Sequence, residues 1–143
     1  KTYLNSGNVI FSSADKNVTA LIDQVERMMQ RELGLDIPVF IIPQEELADI
    51  LRHAPDWWGT ENKGNYDNLI FILPPATFPD IYYEIGAPKE GLEQIQEYQS
   101  AVFWSFSRKD YQKTNWWSKT ARADIGSKLT IRTANTVRRI VDI

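Results

Sequence analysis

The 143-residue chain contains no cysteine and a single histidine, His53. The absence of cysteine excludes disulfides, thiolate metal sites and cysteine nucleophiles from this sequence, and one histidine cannot build a multi-histidine metal site. No apolar run approaches the roughly 18 residues that a membrane span needs, and no signal-peptide pattern is present. The composition predicts a cytoplasmic protein without a metal site or a membrane partner.

The common motifs of catalysis and of phosphate binding are also missing. Gly59, Gly64, Gly86 and Gly91 are too scattered for a phosphate-binding loop, and the glycine pattern of a nucleophile elbow is absent. His53 is far in sequence from every serine or threonine that could act as a nucleophile. The sequence identifies no catalytic residue and no cofactor, and it favours a function other than catalysis.

What the chain does contain is an uneven distribution of charge. Residues 101–143 hold nine Lys or Arg and three Asp, a net charge of +6, whereas residues 1–100 hold seven Lys or Arg and sixteen Asp or Glu, a net charge of −9. Such asymmetry between two parts of a chain indicates an anionic partner for the basic part. Alternatively, the cations are simply solvated or pair with the acidic part.

Aromatic and amide side chains are interleaved with these cations, a mixture that suits phosphate contacts together with base stacking or cation–π recognition. Aromatic residues at helical spacing are nevertheless more often part of a core. Further candidates for stacking lie on the strand predicted at 101–106: Phe103, Trp104 and Phe106. Because one face of this strand must pack on helices, only side chains that point to the other face could be available, which is one parity at most. The candidate ligand-binding residues are Arg108, Lys109, Tyr111, Lys113, Trp116, Lys119, Arg132, Asn135 and Thr136.

Hydrophobic periodicity predicts the elements of the first half. Turn-forming residues 5–8 indicate a hairpin or a kinked strand, and apolar residues at three- and four-residue steps predict an amphipathic helix over 18–33, with Gly34 at its end. A strand at 37–42 and a helix that opens at Pro43 follow. Residues 56–68 have no periodicity and read as a linker, in which Trp57 and Trp58 either pack the two halves together, the interpretation we favour, or form an exposed platform.

The second half has its own alternation of elements. An apolar strand at 69–73, a short helix at 77–85, and two strands at 92–99 and 101–106 come first. A helix at 110–121 with an N-cap at Asp110 or Thr114, a turn at 124–126, a strand at 129–132 and a last helix from Asn135 complete the order. This half therefore reads β-α-β-β-α-β-α.

Two segments resemble a known family. SFSRKDYQKTNWWSK followed by LTIRTANTVRRI is similar to the C-terminal signature of the bacterial domain of unknown function 1697, and the opening KTYLNSGNVIFSS is similar to its Tyr-x-x-Ser-Gly-Asn-Val motif. The resemblance implies no activity. It implies a strand and a helix ahead of the first motif, which are absent from this sequence.

Together, element order and resemblance predict an α+β fold of two tandem ferredoxin-like α/β-sandwich units, the first incomplete. The expected boundaries are 1–55 for the first unit, 56–68 for the linker, and 69–143 for the second unit with its extra terminal helix. Because the first strand of such a sheet is central, either this sequence is a fragment of a longer chain or another chain supplies the strand.

The predicted function is that of a binding module for an anionic ligand such as nucleic acid or a nucleotide. In one alternative, the chain is a structural or interaction domain whose acidic and basic parts pair, within one molecule or in a homo-oligomer. In another, an enzyme holds a small anionic substrate with Arg132, Asn135 and Thr136 at the N-terminus of the last helix.

Overall fold

The computed structural model describes residues 2–3 and 7–143, and of residues 2 and 3 the backbone alone. Strands β1 (Thr2–Tyr3) and β2 (Asn8–Val9) pair antiparallel, so a hairpin forms rather than one kinked strand. Gly7 has a φ of 81°, a conformation that glycine adopts without strain. The residues between Tyr3 and Gly7, which the sequence assigns to the first strand and its turn, lie outside the described residues.

Helix α1 (Val18–Leu33) has the predicted bounds. The side chain of Asn17 accepts a hydrogen bond from the N–H of Ala20 at 3.1 Å, and Gly34 ends the helix with a φ of 65°. None of its residues is buried, although its apolar stripe is well formed. The local signals of the sequence therefore determine this helix, while its apolar side packs only loosely on the rest of the molecule.

The strand predicted at 37–42 does not form; this segment belongs to no sheet. A strand is stable only beside a hydrogen-bonded neighbour, and no strand of the described residues pairs with this segment. The Val39 N–H donates instead to the Glu26 carboxylate of α1 at 3.3 Å. Helix α2 (Gln44–Arg52) follows as expected, with Leu47 and Ile50 buried.

A four-stranded antiparallel sheet forms the centre of the molecule, in the order β4-β5-β3-β6. Three helices and a 3₁₀ turn lie between its strands, and one helix follows them. The α+β fold is as predicted, and the element order of this sheet is the ferredoxin-like one. The elements are β3 (Asn65–Ile72), α3 (Phe78–Ile85), β4 (Glu93–Tyr98), β5 (Ala101–Ser107), a 3₁₀ turn (Tyr111–Lys113), α4 (Asn115–Thr120), α5 (Ala123–Gly126), β6 (Leu129–Thr133) and α6 (Ala134–Val141).

Local sequence explains the bounds of several of these elements. Gln99 and Ser100 both have positive φ, which is typical of the two-residue turn that joins β4 to β5. Thr77 and Asp80 form a reciprocal capping box at the start of α3. Helix α6 begins one residue before the predicted start, because the Thr133 side chain accepts from the Thr136 N–H and caps it.

Both faces of the sheet are covered. On one face, Ile70, Val102 and Trp104 pack against α3, α4 and α5. On the other face, Leu69 and Phe103 pack against α2 and α6. The sheet is therefore the middle layer of the molecule, and each face carries its own apolar core.

The predicted linker is not wholly without structure. Its last four residues are the start of β3, and Trp58 is buried in the core that α2 shares with the sheet. The tryptophan thus joins the two parts of the chain, as we favoured. Helix α2 precedes residue 56 but packs on the face of the central sheet that carries Leu69 and Phe103. A domain boundary near residue 56 therefore stays a prediction. No helix among the described residues is long and apolar enough to cross a bilayer.

Candidate functional site

The basic and aromatic residues predicted as a binding surface come together partly, at the end of the sheet where β3 begins and β5 ends. We call this group the aromatic–basic surface. It consists of Tyr66, Arg108, Lys109, Tyr111, Lys113 and Trp117.

Its aromatic rings form a connected series. Register places Tyr66 of β3 opposite Phe106 of β5, and their ring centroids are 5.3 Å apart. Phe106 in turn contacts Trp117 of α4 at 5.6 Å, and Tyr111 meets Trp117 edge to face at 4.8 Å. Phe106 is buried, whereas Tyr66 is 36% and Trp117 40% exposed. Tyr66 and Trp117 are therefore partly exposed on either side of the buried Phe106.

Arg108 brings positive charge to these rings. Its guanidinium carbon lies 4.2 Å from the centre of the Tyr66 ring, within the range of a cation–π contact. Its Nε also donates to the Asn65 carbonyl, at 3.4 Å. Because the side chain stacks on an exposed ring, its charge is held at the surface beside the aromatic series.

The other two cations of the surface are more exposed to solvent than buried. Lys109 is exposed, and its backbone N–H donates to the Ser107 hydroxyl at 3.2 Å. Lys113 pairs with Asp110 at 3.4 Å while its side chain stays 73% exposed. Such an exposed pair contributes little to stability, so both ammonium groups are available to an anion.

A buried carboxylate positions the helix that carries Trp117. Glu93 of β4 is only 4% exposed, and it accepts from the indole N–H of Trp104 at 3.2 Å and from the Trp116 N–H at 3.2 Å. The Asn115 N–H also donates to it, and so does the Lys89 N–H, at 3.0 Å. One carboxylate thus satisfies the first N–H groups of α4, where negative charge is also favoured by the helix dipole.

Two of the predicted ligand-binding residues have structural positions instead. Trp116 is fully buried, and its indole donates to the Gly86 carbonyl at 3.1 Å. Lys119 donates to the Ile85 carbonyl at 2.9 Å, at the end of α3. A ligand at the surface does not reach the Trp116 ring, and the Lys119 ammonium helps to hold α4 against α3.

The stacking candidates on β5 are also inaccessible. Phe103, Trp104 and Phe106 are each at most 2% exposed. We expected at most one parity of these side chains to be available, and neither is, because helices cover both faces of this sheet. The partly exposed rings at this end of the sheet are instead those of Tyr66 and Trp117.

Arg132, Asn135 and Thr136 lie at the same end of the sheet but in a different setting. The Arg132 Nε donates to the Asn8 side chain at 2.8 Å, which ties β6 to the hairpin. Its Nη1 donates to the Thr130 hydroxyl and to the Ile131 carbonyl. Asn135 is exposed, and the N–H of Thr136 is capped by Thr133. Helix α6 covers the sheet face opposite the aromatic series, so these residues are not part of the aromatic–basic surface.

Sequence reasoning missed Tyr66 and Glu93. Tyr66 lies in the segment read as a linker, and only the register of β3 with β5 brings it to Phe106. Glu93 lies on a strand of alternating polar and apolar residues, where a carboxylate is expected to face solvent. Glu93 is the first residue of an edge strand. Nothing in the neighbouring sequence indicates that its side chain caps a helix that begins 22 residues later.

Few direct ion pairs of the described residues join residues 101–143 to the acidic part of the chain. Most ion pairs of the described residues are local in sequence, such as Arg122 with Asp124 at 2.8 Å. Among the ion pairs of the described residues, the pair of Lys128 with Glu84, at 3.3 Å, joins a cation of residues 101–143 to an acid of the first hundred residues. In the aromatic–basic surface, the ion pair of the described residues is the local one between Lys113 and Asp110.

Comparison with known proteins supplies a family and a fold. No curated protein is significantly similar to the chain. A conserved bacterial protein, SP0830 from Streptococcus pneumoniae, has a structure that superposes with a TM-score of 0.83 at 21% identity, over 99% of this chain and 78% of that one. At this identity the likeness shows the fold alone. The profile of the family described as protein of unknown function (DUF1697) matches residues 1–103. The chain belongs to this family.

Proposed function

We propose that this protein is a non-catalytic binding module that takes a single-stranded nucleic acid or a nucleotide at the aromatic–basic surface. The observation that carries the proposal is a pair of partly exposed rings, Tyr66 and Trp117, on either side of a buried Phe106, with the Arg108 guanidinium over the Tyr66 ring. Flat, solvent-accessible rings next to cations are the features on which unpaired bases stack while their phosphates are neutralised.

The energetics of the surface favour a stacked ligand. An exposed tryptophan that is fixed by its neighbours loses little conformational entropy on binding, because its rotamer is already restricted. The edge of Tyr111 restrains the Trp117 ring, and the hydrogen bond from the Trp117 N–H to Thr114 fixes its backbone. Lys109 and Lys113 extend from the same loop and turn, so a phosphate backbone that passes the rings finds positive charge along its path.

Binding of a fluorescein-labelled single-stranded oligonucleotide, followed by anisotropy at low and raised salt, tests the proposal. We expect affinity to fall steeply with salt, because phosphate contacts release counterions. Trp117→Ala should weaken binding about tenfold, since base–aromatic stacking contributes roughly 1–3 kcal/mol per base. Tyr83→Ala removes a 90% exposed ring outside this surface and should leave binding unchanged.

A pair of charge variants separates this surface from the overall charge of the chain. Arg108→Glu and Arg139→Glu change the net charge equally, but Arg139 lies exposed on α6, away from the aromatic series. Arg108→Glu should weaken binding far more than Arg139→Glu. Equal losses would assign the binding to net charge, and absence of binding to the unmodified protein at low salt would overturn the proposal.

A further inference from the structure

The cations of the aromatic–basic surface lie close together in the chain. Arg108, Lys109 and Lys113 fall within six residues, and Asp110 between them pairs with Lys113 at 3.4 Å. Proteins that bind the interior of a nucleic acid strand line its path with cations, because every phosphate along the strand is charged. The positions of the other cations in residues 101–143 therefore indicate how long a ligand this surface accommodates.

The other cations do not continue this group. Those of α4, of the turn before α5 and of the loop after it are held by protein oxygen atoms: Lys119 by the Ile85 carbonyl, Arg122 by Asp124 and Lys128 by Glu84. Arg132 donates to Asn8, and the Arg138 guanidinium carbon lies 5.4 Å from the centre of the Trp58 ring. On the face of the sheet that carries the aromatic series, the charge suits one phosphate group better than a row of them.

Arg108 is oriented to bind such a group. Its guanidinium carbon lies 4.2 Å from the centre of the Tyr66 ring, and its Nε donates to the Asn65 carbonyl at 3.4 Å. This hydrogen bond uses neither Nη1 nor Nη2, whose N–H groups belong to the planar fork that binds two oxygens of one phosphate. A terminal phosphate monoester offers three oxygens and a charge of about −1.5 to −2 at neutral pH, so the fork and its neighbouring lysines favour it over a singly charged phosphodiester.

The two partly exposed rings differ in how well they could stack a base. The Arg108 guanidinium covers one face of Tyr66, so a base on that face would have to displace it. The Trp117 ring is 40% exposed, and its contacts are with the Phe106 ring at 5.6 Å and the Tyr111 ring at 4.8 Å. One base on Trp117 and one phosphate on Arg108 use both groups without displacing either.

We propose that the aromatic–basic surface recognises one nucleotide that carries a terminal phosphate monoester, either free or at the end of a strand, rather than the interior of a strand. This recognition rests on the proposed function and names the part of the ligand that each group contacts. Trp117 stacks on the base, the Arg108 fork binds the terminal phosphate, and Lys109 and Lys113 add positive charge around it. Because one nucleotide fills the site, further nucleotides add little affinity.

Calorimetric titration with three unlabelled oligodeoxyadenylates tests this ligand class. Two are tetranucleotides with a phosphate at the 5′ or at the 3′ end, and the third is a hexanucleotide without a terminal phosphate. At a pH about two units above the second pKa of the phosphate, all three carry about the same net charge. We expect one phosphorylated tetranucleotide to bind at least about tenfold more tightly than the hexanucleotide. Deoxyadenosine monophosphate with its phosphate at that same position should bind within about tenfold of the tetranucleotide.

A conservative variant assigns the preference to the guanidinium fork. Arg108→Lys keeps the charge but removes the fork, and should reduce the preference for the terminal phosphate to less than about threefold. Arg139→Lys makes the same change on α6 and should leave the preference intact. Equal binding of the three oligonucleotides would overturn this ligand class while the proposed nucleic-acid binding stands, and a full preference in Arg108→Lys would equally overturn it. Absence of binding by every probe would overturn the proposed function as well.

Discussion

The central sheet and helix α1 both carry patterned apolar side chains, but they differ in how far these side chains are buried. The second half of β3 and most of β5 are buried on both faces, with Leu69, Ile70, Val102 and Phe103 inaccessible to solvent. Helix α1 has a clear apolar stripe and caps at both ends, but no buried residue. Local sequence signals are equally clear in the two regions. The difference shows that periodicity determines an element, while burial depends on whether a partner element is present.

The aromatic–basic surface belongs to the well-packed region. It is built on a completed core, so its rings are held by their neighbours before any ligand arrives, and the proposed site is expected to be preorganised.

The largest expected effect compares one substitution in both regions. Leu69→Ala, at a fully buried position of β3, should lower the free energy of unfolding by about 2–5 kcal/mol, because it leaves a cavity in the core. Leu33→Ala, at a 65% exposed position of α1, should change it by less than about 0.5 kcal/mol. Urea denaturation measures both. A loss at Leu33 as large as that at Leu69 would mean that the apolar side of α1 is covered in solution.

A smaller effect is expected from the polar group buried in the well-packed region. Glu93→Gln replaces one acceptor oxygen by an amide that faces N–H donors, and should cost about 1–3 kcal/mol, the typical penalty for buried groups left without a partner. Glu97→Gln makes the same change at an exposed position of the same strand and serves as the matched control. Thermal unfolding measures both variants. Equal midpoint temperatures would contradict the prediction that the Glu93 carboxylate holds α4.

The smallest expected effect concerns the contact between α2 and the sheet edge. The Tyr98 hydroxyl donates to Asp49 at 2.8 Å, and this hydrogen bond is the main cause that lowers the pKa of Asp49 below its ordinary value of 3.8. Since the folded state has the lower pKa, the contribution of Asp49 to stability is present above pH 3.8 and is lost as pH falls through the folded pKa.

The same bond raises the pKa of Tyr98 above 10.0, so the contribution of Tyr98 is complete below pH 10 and is lost as pH rises through the folded value. Tyr98→Phe should therefore make the free energy of unfolding slightly less dependent on pH at both acidic and alkaline extremes. It should also lower the free energy of unfolding a little near neutral pH. Denaturation curves measured from pH 2.5 to 11 check this. A variant with the pH profile of the unmodified protein would contradict a role for this bond in holding α2.

Much of the fold was predictable, because the signals that set it are local. Helix α1 has an N-cap asparagine, a 3.6-residue apolar period and a terminal glycine, and its bounds match the prediction. The strand expected at 37–42 was wrong, since β propensity cannot supply a neighbouring strand. The aromatic–basic surface was predictable as a basic and aromatic segment of the chain, but the sequence could not say which rings are exposed: Trp116 is buried, whereas its neighbour Trp117 is accessible.

The sequence by itself determined the order of the elements in the central sheet, the local caps of α1 and α3 and the concentration of positive charge in residues 101–143, since each depends on neighbours along the chain. The tertiary structure alone decided that Tyr66 joins Trp117 across Phe106, that Glu93 caps α4, and that α2 packs on the second face of the sheet. These contacts join residues far apart in sequence through strand register and layer packing, and register is set by which complete set of side chains can be buried together.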